Sequence, residues 1–173
     1  MATAEEGAAR RFRALALPLL DDMHRLARAL ARDRTAAEDL VQETYLRALR
    51  YFDTHQGEDM RAWLAAIMRN AHRDRARQPG AAFADDAAEC PDPAPSPEQQ
   101  ALARDQARRL RHLVAALPET LREALVLREF GGLSYAEIST ALAVPAGTVM
   151  SRLARAREAL RAAWLAAHEG PRS

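Results

Sequence analysis

From Arg11 to Ala31 the apolar residues Phe12, Leu15, Leu19, Met23, Leu26 and Leu30 recur at helical spacing, so one face of this segment is expected to be buried. Pro18 lacks an amide proton and breaks or restarts that helix. Thr35 and Glu38 have the spacing of a capping box and predict a second helix start. The stripe Leu40, Val41, Thr44, Tyr45, Ala48, Leu49 and Phe52 is its predicted inner face. Asp39, Gln42, Glu43, Arg47 and Arg50 then face outward. Asp53 to Asp59 reads as a polar loop. A third helix is predicted from Met60 to Arg77, with Trp63, Leu64, Ile67, Met68 and Ala71 inward and Asn70, Arg73, Asp74 and Arg77 on the other side.

The stretch 79–97 holds Pro79, Gly80, Pro91, Pro93, Pro95 and Pro97 among small and acidic residues. It has little to bury and no means of forming a helix, so it is expected to be a linker between two halves. The second half opens with a capping box from Ser96 to Gln99, with Pro97 first in the helix, and that helix runs to about Ala116. Pro118 begins the next helix, with Leu121, Leu125, Val126 and Leu127 at its core. Gly131 and Gly132 end it through the left-handed conformation that glycine tolerates. Ser134 and Glu137 form a further capping box, before a short helix carrying Ile138 and Leu142. A tight turn at Ala143–Val144 leads to Pro145, which opens the last helix. That helix has Val149, Leu153, Ala156, Leu160 and Trp164 at core spacing.

A short helix, a tight turn and a longer arginine-bearing helix form a helix-turn-helix pattern, in which the second helix enters the DNA major groove N-terminus first. The residues brought to base edges would be Pro145, Ala146, Thr148, Val149, Ser151 and Arg152. Arg155 and Arg157 lie farther along and suit phosphates. A plain helical hairpin produces the same periodicity.

Composition narrows the class. In 173 residues, 49% are apolar, 28% charged and only 5% aromatic, and glycine numbers 7. These values favour helices over a sandwich or barrel. The expected fold class is all-α, as two small helical domains: residues 10–78, a flexible acidic linker 79–97, and residues 98–168. The single Cys90 excludes an internal disulfide and any multi-cysteine metal site. No long apolar run or secretory leader is evident, so a cytoplasmic protein with no membrane insertion is expected. The five histidines are scattered and no glycine-rich phosphate loop is present; Asp21 and Asp22 are adjacent and diverge on a helix. No enzyme, cofactor, metal site or small-molecule substrate is expected.

Net charge is +1, but it is distributed in blocks. Residues 35–60 sum to about −4, residues 61–77 to about +4, residues 78–97 to about −4 and residues 145–173 to about +3. Two basic helices separated by an acidic linker do not make a random solvated surface; the alternative is that helices rich in Arg and Glu are simply soluble.

Three stretches carry a family resemblance. Ala36-Ala37-Glu38-Asp39-Leu40-Val41-Gln42-Glu43-Thr44-Tyr45-Leu46-Arg47-Ala48 resembles the core-binding segment of bacterial sigma factors. Arg61-Ala62-Trp63-Leu64, followed by Arg69-Asn70 and Asp74, resembles their promoter-melting helix. Gly132-Leu133-Ser134-Tyr135-Ala136-Glu137-Ile138, with Val144-Pro145-Ala146-Gly147-Thr148-Val149-Met150-Ser151-Arg152-Leu153 and Arg155-Ala156-Arg157, resembles their C-terminal DNA-binding domain. The order and spacing, over residues 10–168, are those of an extracytoplasmic-function (ECF) sigma factor.

The resemblance implies partners and site residues. Asp39, Gln42, Glu43 and Arg47 would dock on the clamp helices of core RNA polymerase. Asp53, Thr54, His55, Gln56, Gly57, Trp63, Arg69, Asn70, Arg73, Asp74 and Arg77 would capture and hold the minus-ten strand, with an unstacked base read by the loop. Trp63 is either core or a stacking platform, and Asn70 either reads a base or caps local backbone. Ser134, Tyr135, Pro145, Ala146, Thr148, Val149, Ser151, Arg152, Arg155 and Arg157 would bind the minus-thirty-five element, with the polymerase flap nearby. Met150 departs from the basic residue often found there. The linker would thread the polymerase channel or serve as a simple tether, and its acids disfavour a thiolate at Cys90. An anti-sigma factor is the implied regulator. The function implied is transcription initiation at a stress- or signal-responsive promoter set. The alternative is a stand-alone helix-turn-helix regulator that does not recruit polymerase.

Overall fold

The computed structural model describes residues 2–31, 33–55, 57, 59–77 and 97–168, with side chains treated from Glu6 and, in the second half, fully from Arg104. The proposed linker up to Ser96, Cys90, the capping box at Ser96 and Gln56 lie outside the described residues. Among the described residues the regular structure is helical: α1 (Ala2–Ala16), α2 (Leu20–Leu30), α3 (Arg34–Arg50), α4 (Met60–Ala76), α5 (Pro97–Ala115), α6 (Glu119–Glu129), α7 (Tyr135–Leu142) and α8 (Ala146–His168).

Pro18 divides the first predicted helix, as expected, through a short 3-10 turn at Leu17–Leu19. The carbonyl of Ala16, freed by that break, accepts a hydrogen bond from the Tyr45 hydroxyl at 2.8 Å. Burial pushes the Tyr45 phenol up to about 12, so it stays a donor. Phe12 meets Tyr45 and Phe52 edge-on, at 6.2 and 5.4 Å between ring centroids, and locks α1 onto α3. Met23, Leu26, Leu40, Leu64 and Met68 are fully enclosed and complete this core.

Two positions of the predicted stripes face solvent. Leu49 is 47% exposed. Nine residues on from Leu40, it stands about half a turn round the helix from that residue, past the margin of the buried line. Leu15 is 50% exposed, because Phe12 and Ala16 carry the inner face of α1.

The capping expectations divide. Ser134 and Glu137 form the full reciprocal box at the start of α7. At α3 the cap is not Thr35 but Asp33, whose carboxylate accepts from the Ala36 amide at 2.7 Å. Glu38 turns instead to Arg34, at 2.9 Å. Asp and Thr are both good caps, and Asp33 begins the helix two residues earlier, adding intrahelical hydrogen bonds. Asp59 caps α4 through the amides of Arg61 and Ala62. The loop before α4 contains a 3-10 turn at Phe52–Thr54.

In the second half, α6, α7 and α8 close over Leu121, Val126, Leu127, Leu133, Ile138, Val149, Leu153 and Ala156. Of the glycines ending α6, only Gly132 is left-handed, at φ +65°. Gly131 is needed for space: a Cβ there would lie 2.7 Å from both the Leu127 carbonyl oxygen and a methyl of Leu133. Ala143 turns α7 into α8 in the left-handed conformation, at φ 52°. The Pro145 carbonyl then accepts the first helical bonds of α8, from Thr148 and Val149.

The two halves pack on one another through α4 against α7 and α2 against α6. Arg69 of α4 donates to the Ala141 carbonyl in the last turn of α7, at 2.8 Å. It also pairs with Glu123 of α6 at 3.2 Å. Arg73 reaches Glu123 at 2.9 Å and Glu119 at 3.0 Å. His72 sits beside this contact, and burial pulls its imidazole below the ordinary histidine value, with Arg122 adding to the shift.

Candidate nucleic-acid interface

Three surfaces hold the residues singled out from the sequence. The first is the outer face of α3. Asp39 and Gln42 are exposed there and Glu43 is half-buried. Arg47 lies across α3 and α4, bonding Glu43 at 2.6 Å and Asp74 at 2.8 Å. Both carboxylates hold the guanidinium above its already high ordinary range, so it is a fixed positive charge in an acidic surround. Arg75 crosses back to the Asp39 carbonyl at 3.1 Å, so α4 holds α3 at both points. Leu46 and Leu49 are exposed on α3 as well, at 57% and 47%. Sequence periodicity placed Leu49 in the core and passed over Leu46. Two exposed leucines beside an acidic row make a face that is both charged and apolar, as protein interfaces are.

The second surface is a pocket of about 450 Å³ between α1 and the loop before α4. Arg11, Ala14 and Leu15 form one wall, and Phe52, Asp53, His55 and Gly57 the other. The His55 ring lies nearly parallel to Phe52, 6.0 Å away, and leans on Trp63 at 4.8 Å. Its Nδ1 is buried and has no hydrogen-bond partner among the described residues. A buried, unsatisfied ring nitrogen is costly unless a ligand or water completes it. Trp63 is half-buried against the core and packs on the His55 ring. Gly57 holds φ +78°, which favours glycine in this wall. The Thr54 hydroxyl is turned inward to the Tyr51 carbonyl. Arg11 and Leu15 were missed from sequence, because their link to the loop is made only by folding.

The arginine row of α4 continues from there. Asn70 and Arg77 are exposed, whereas Asp74 is taken by Arg47, and Arg69 and Arg73 by α6. Arg73 holds the Glu119 carboxyl below the usual carboxylate range.

The third surface is the start of α8. Pro145, Ala146, Ser151 and Arg155 are exposed, and Thr148 and Arg152 are half-buried. Val149 corrects the sequence reading: its exposure is 0%, so its side chain belongs to the core and does not reach a base edge. Ser151 bonds the Thr148 carbonyl at 3.0 Å. Arg157 pairs with Glu129 at 2.9 Å, and its guanidinium is raised further by Glu129 and Tyr135. Tyr135 lies under Arg128, 5.1 Å from ring centre to guanidinium. Ser134 spends its hydroxyl on the cap of α7. The turn is held by Ser139, whose hydroxyl donates to the Val144 carbonyl at 2.6 Å. Among the described residues, no helix is long and apolar enough to cross a membrane.

Two family models match the chain. Residues 15–81 match the Sigma-70 region 2 family and residues 107–160 match Sigma-70, region 4. The chain is 37% identical over 152 residues to the ECF RNA polymerase sigma factor SigE of Mycolicibacterium smegmatis, covering 86% of this chain and 59% of SigE, less than two thirds of that relative. It is 36% identical over 164 residues to the RNA polymerase sigma-H factor of Pseudomonas aeruginosa, covering 86% of this chain and 84% of sigma-H. The sigma factor RpoE of Bartonella quintana, solved in complex with the anti-sigma factor NepR, superposes with a TM-score of 0.71 at 27% identity, over 88% of this chain and 95% of that one. With both sigma regions present in order and a relative matched over most of its length, the chain belongs to the ECF-type sigma factors of bacterial RNA polymerase.

Proposed function

We propose that this chain binds core RNA polymerase in the cytoplasm and directs it to a stress- or signal-responsive promoter set, with no catalytic role of its own. The outer face of α3 docks on a basic coiled coil of the polymerase through Asp39, Gln42, Glu43 and Arg47, with Leu46 and Leu49 as its apolar contacts. The pocket beside His55 receives a base extruded from the minus-ten element, and Arg69, Asn70, Arg73 and Arg77 track the strand. The exposed start of α8 reads the minus-thirty-five element through Thr148, Ser151 and Arg152, with Arg155 on phosphate. Residues 10–78 and 98–168 act as separate units across the acidic linker 79–97. An anti-sigma protein acting in trans is the expected regulator, as the pairing of RpoE with NepR suggests.

The observation that carries this reading is the pocket walled by Arg11, Phe52, Asp53, His55 and Gly57, just before the arginine-bearing helix α4, in which the His55 ring is held between Phe52 and Trp63. A pocket walled by flat rings, with the polar side chains of Arg11 and Asp53 at its sides, fits a planar, hydrogen-bonding ligand. A regulator that never melts DNA has no use for such a pocket beside a basic helix.

The upstream contact is tested at Arg152. Arg152→Ala in the holoenzyme is expected to weaken promoter binding by about 1–3 kcal/mol and relax preference at one base pair. Filter binding against upstream elements varied one pair at a time reads this directly. Equal weakening on every sequence assigns Arg152 to phosphate, and no weakening removes it from the interface.

A further inference from the structure

Two of the arginines that would hold the promoter strand, Arg69 and Arg73, are already occupied. Glu123 is the only buried acidic residue among those described, its side chain 8% exposed, and its ion pairs run to Arg69 and Arg73 of the other half. A carboxylate enclosed in this way is costly unless closely paired. Glu119 stands one turn before Glu123 on α6, as Arg69 stands one turn before Arg73 on α4. Two carboxylates therefore meet two guanidinia, as successive phosphates of a strand would meet them. Arg69 is only 15% exposed in this arrangement. The same side chain ties the end of α7, the first helix of the helix-turn-helix, to α4.

We propose that Glu119 and Glu123 form a carboxylate latch that occupies the strand-binding arginines of α4, holds the two halves closed, and is displaced by the phosphates of a single-stranded nucleic acid. The inference rests on the strand-binding reading of Arg69 and Arg73 given above. Latch and strand use the same guanidinia, so they exclude each other. The apparent affinity for the strand is then the intrinsic affinity reduced by the fraction of open molecules. Salt weakens both contacts, but the enclosed Glu123 pairs are screened less than an exposed strand contact.

The test uses the full chain with Glu119→Gln and Glu123→Gln together, which keep shape and remove charge. Small-angle scattering is expected to show expansion of the free variant. Fluorescence anisotropy with a labelled single-stranded DNA 12-mer is expected to show binding tighter by about tenfold, the scale set by a minor open state. Circular dichroism verifies folding, and Glu119→Gln alone, at a more exposed position, gives a smaller change of the same sign if the double variant does not fold. Unchanged scattering in the Gln variants overturns the latch. Expansion without tighter DNA binding overturns the competition. If Arg69→Ala and Arg73→Ala in the open background leave DNA affinity unchanged, the strand-binding reading fails, while scattering still reports on the latch.

Discussion

Replacing Asp39 and Glu43 together by arginine is expected to abolish association with core polymerase and leave the fold intact. Asp39 is exposed and Glu43 half-buried on the outer face of α3, and neither belongs to the core. Their loss removes one side-chain contact, Glu43 to Arg47, while Arg47 keeps Asp74. A surface pair of this kind contributes at most about 0.5 kcal/mol to stability. At the interface two attractive contacts become two repulsions against a basic partner. Like-charge contact costs several kcal/mol, so the loss should be about a hundredfold or more in Kd. Co-elution with core polymerase reads the loss and thermal melting checks the fold. Undiminished association would remove α3 as the docking face.

Gly131→Ala is expected to destabilise the second half by about 2–3 kcal/mol, as overpacking of a closed site does. The added methyl would stand 2.7 Å from the Leu127 carbonyl oxygen, which is backbone and cannot rotate aside. It would also press on Leu133, which is fully buried and leads into the cap of α7. Relief requires the end of α6 and the start of the helix-turn-helix to separate, so upstream DNA binding should fall with stability. Gly132→Ala gives the contrast: φ +65° is strained for alanine but the nearest atom is 3.5 Å away on a flexible arginine. Its cost is about 1–2 kcal/mol. Urea unfolding of the two variants measures both, and a Gly131→Ala protein as stable as the parent would contradict the packing account.

Much of the fold was legible because its signals are local. Pro18, the Ser134–Glu137 box and the core spacing of α8 each act within a few residues of one another. The errors arose where two local signals competed or where a face had to be chosen. Asp33 and Thr35 are both capable caps, and only the longer helix decides between them. Leu49 lies at the margin of its stripe, and burial of Leu40, Thr44 and Ala48 fixes the rotation that exposes it. Val149 satisfied both the core spacing of α8 and the docking pattern of a recognition helix, and burial selects the first. The site depends more on long-range contacts. Arg47 with Asp74, Arg11 with the His55 loop, and Arg69 with Glu123 join residues far apart in the chain, and periodicity carries no information about such pairs. The row of arginines on α4 was visible, and its partner on α6 was not.

In the function proposed above, this chain gives core polymerase its promoter choice. Purified chain is mixed with sigma-free core polymerase and sheared genomic DNA from its own source, and the 5′ ends of the transcripts are mapped. Discrete start sites that share two spaced upstream elements, and that vanish with Asp39→Arg and Glu43→Arg, are expected. DNA binding by the chain alone, with no specific start sites when core polymerase is added, would contradict it and assign the chain to stand-alone regulation.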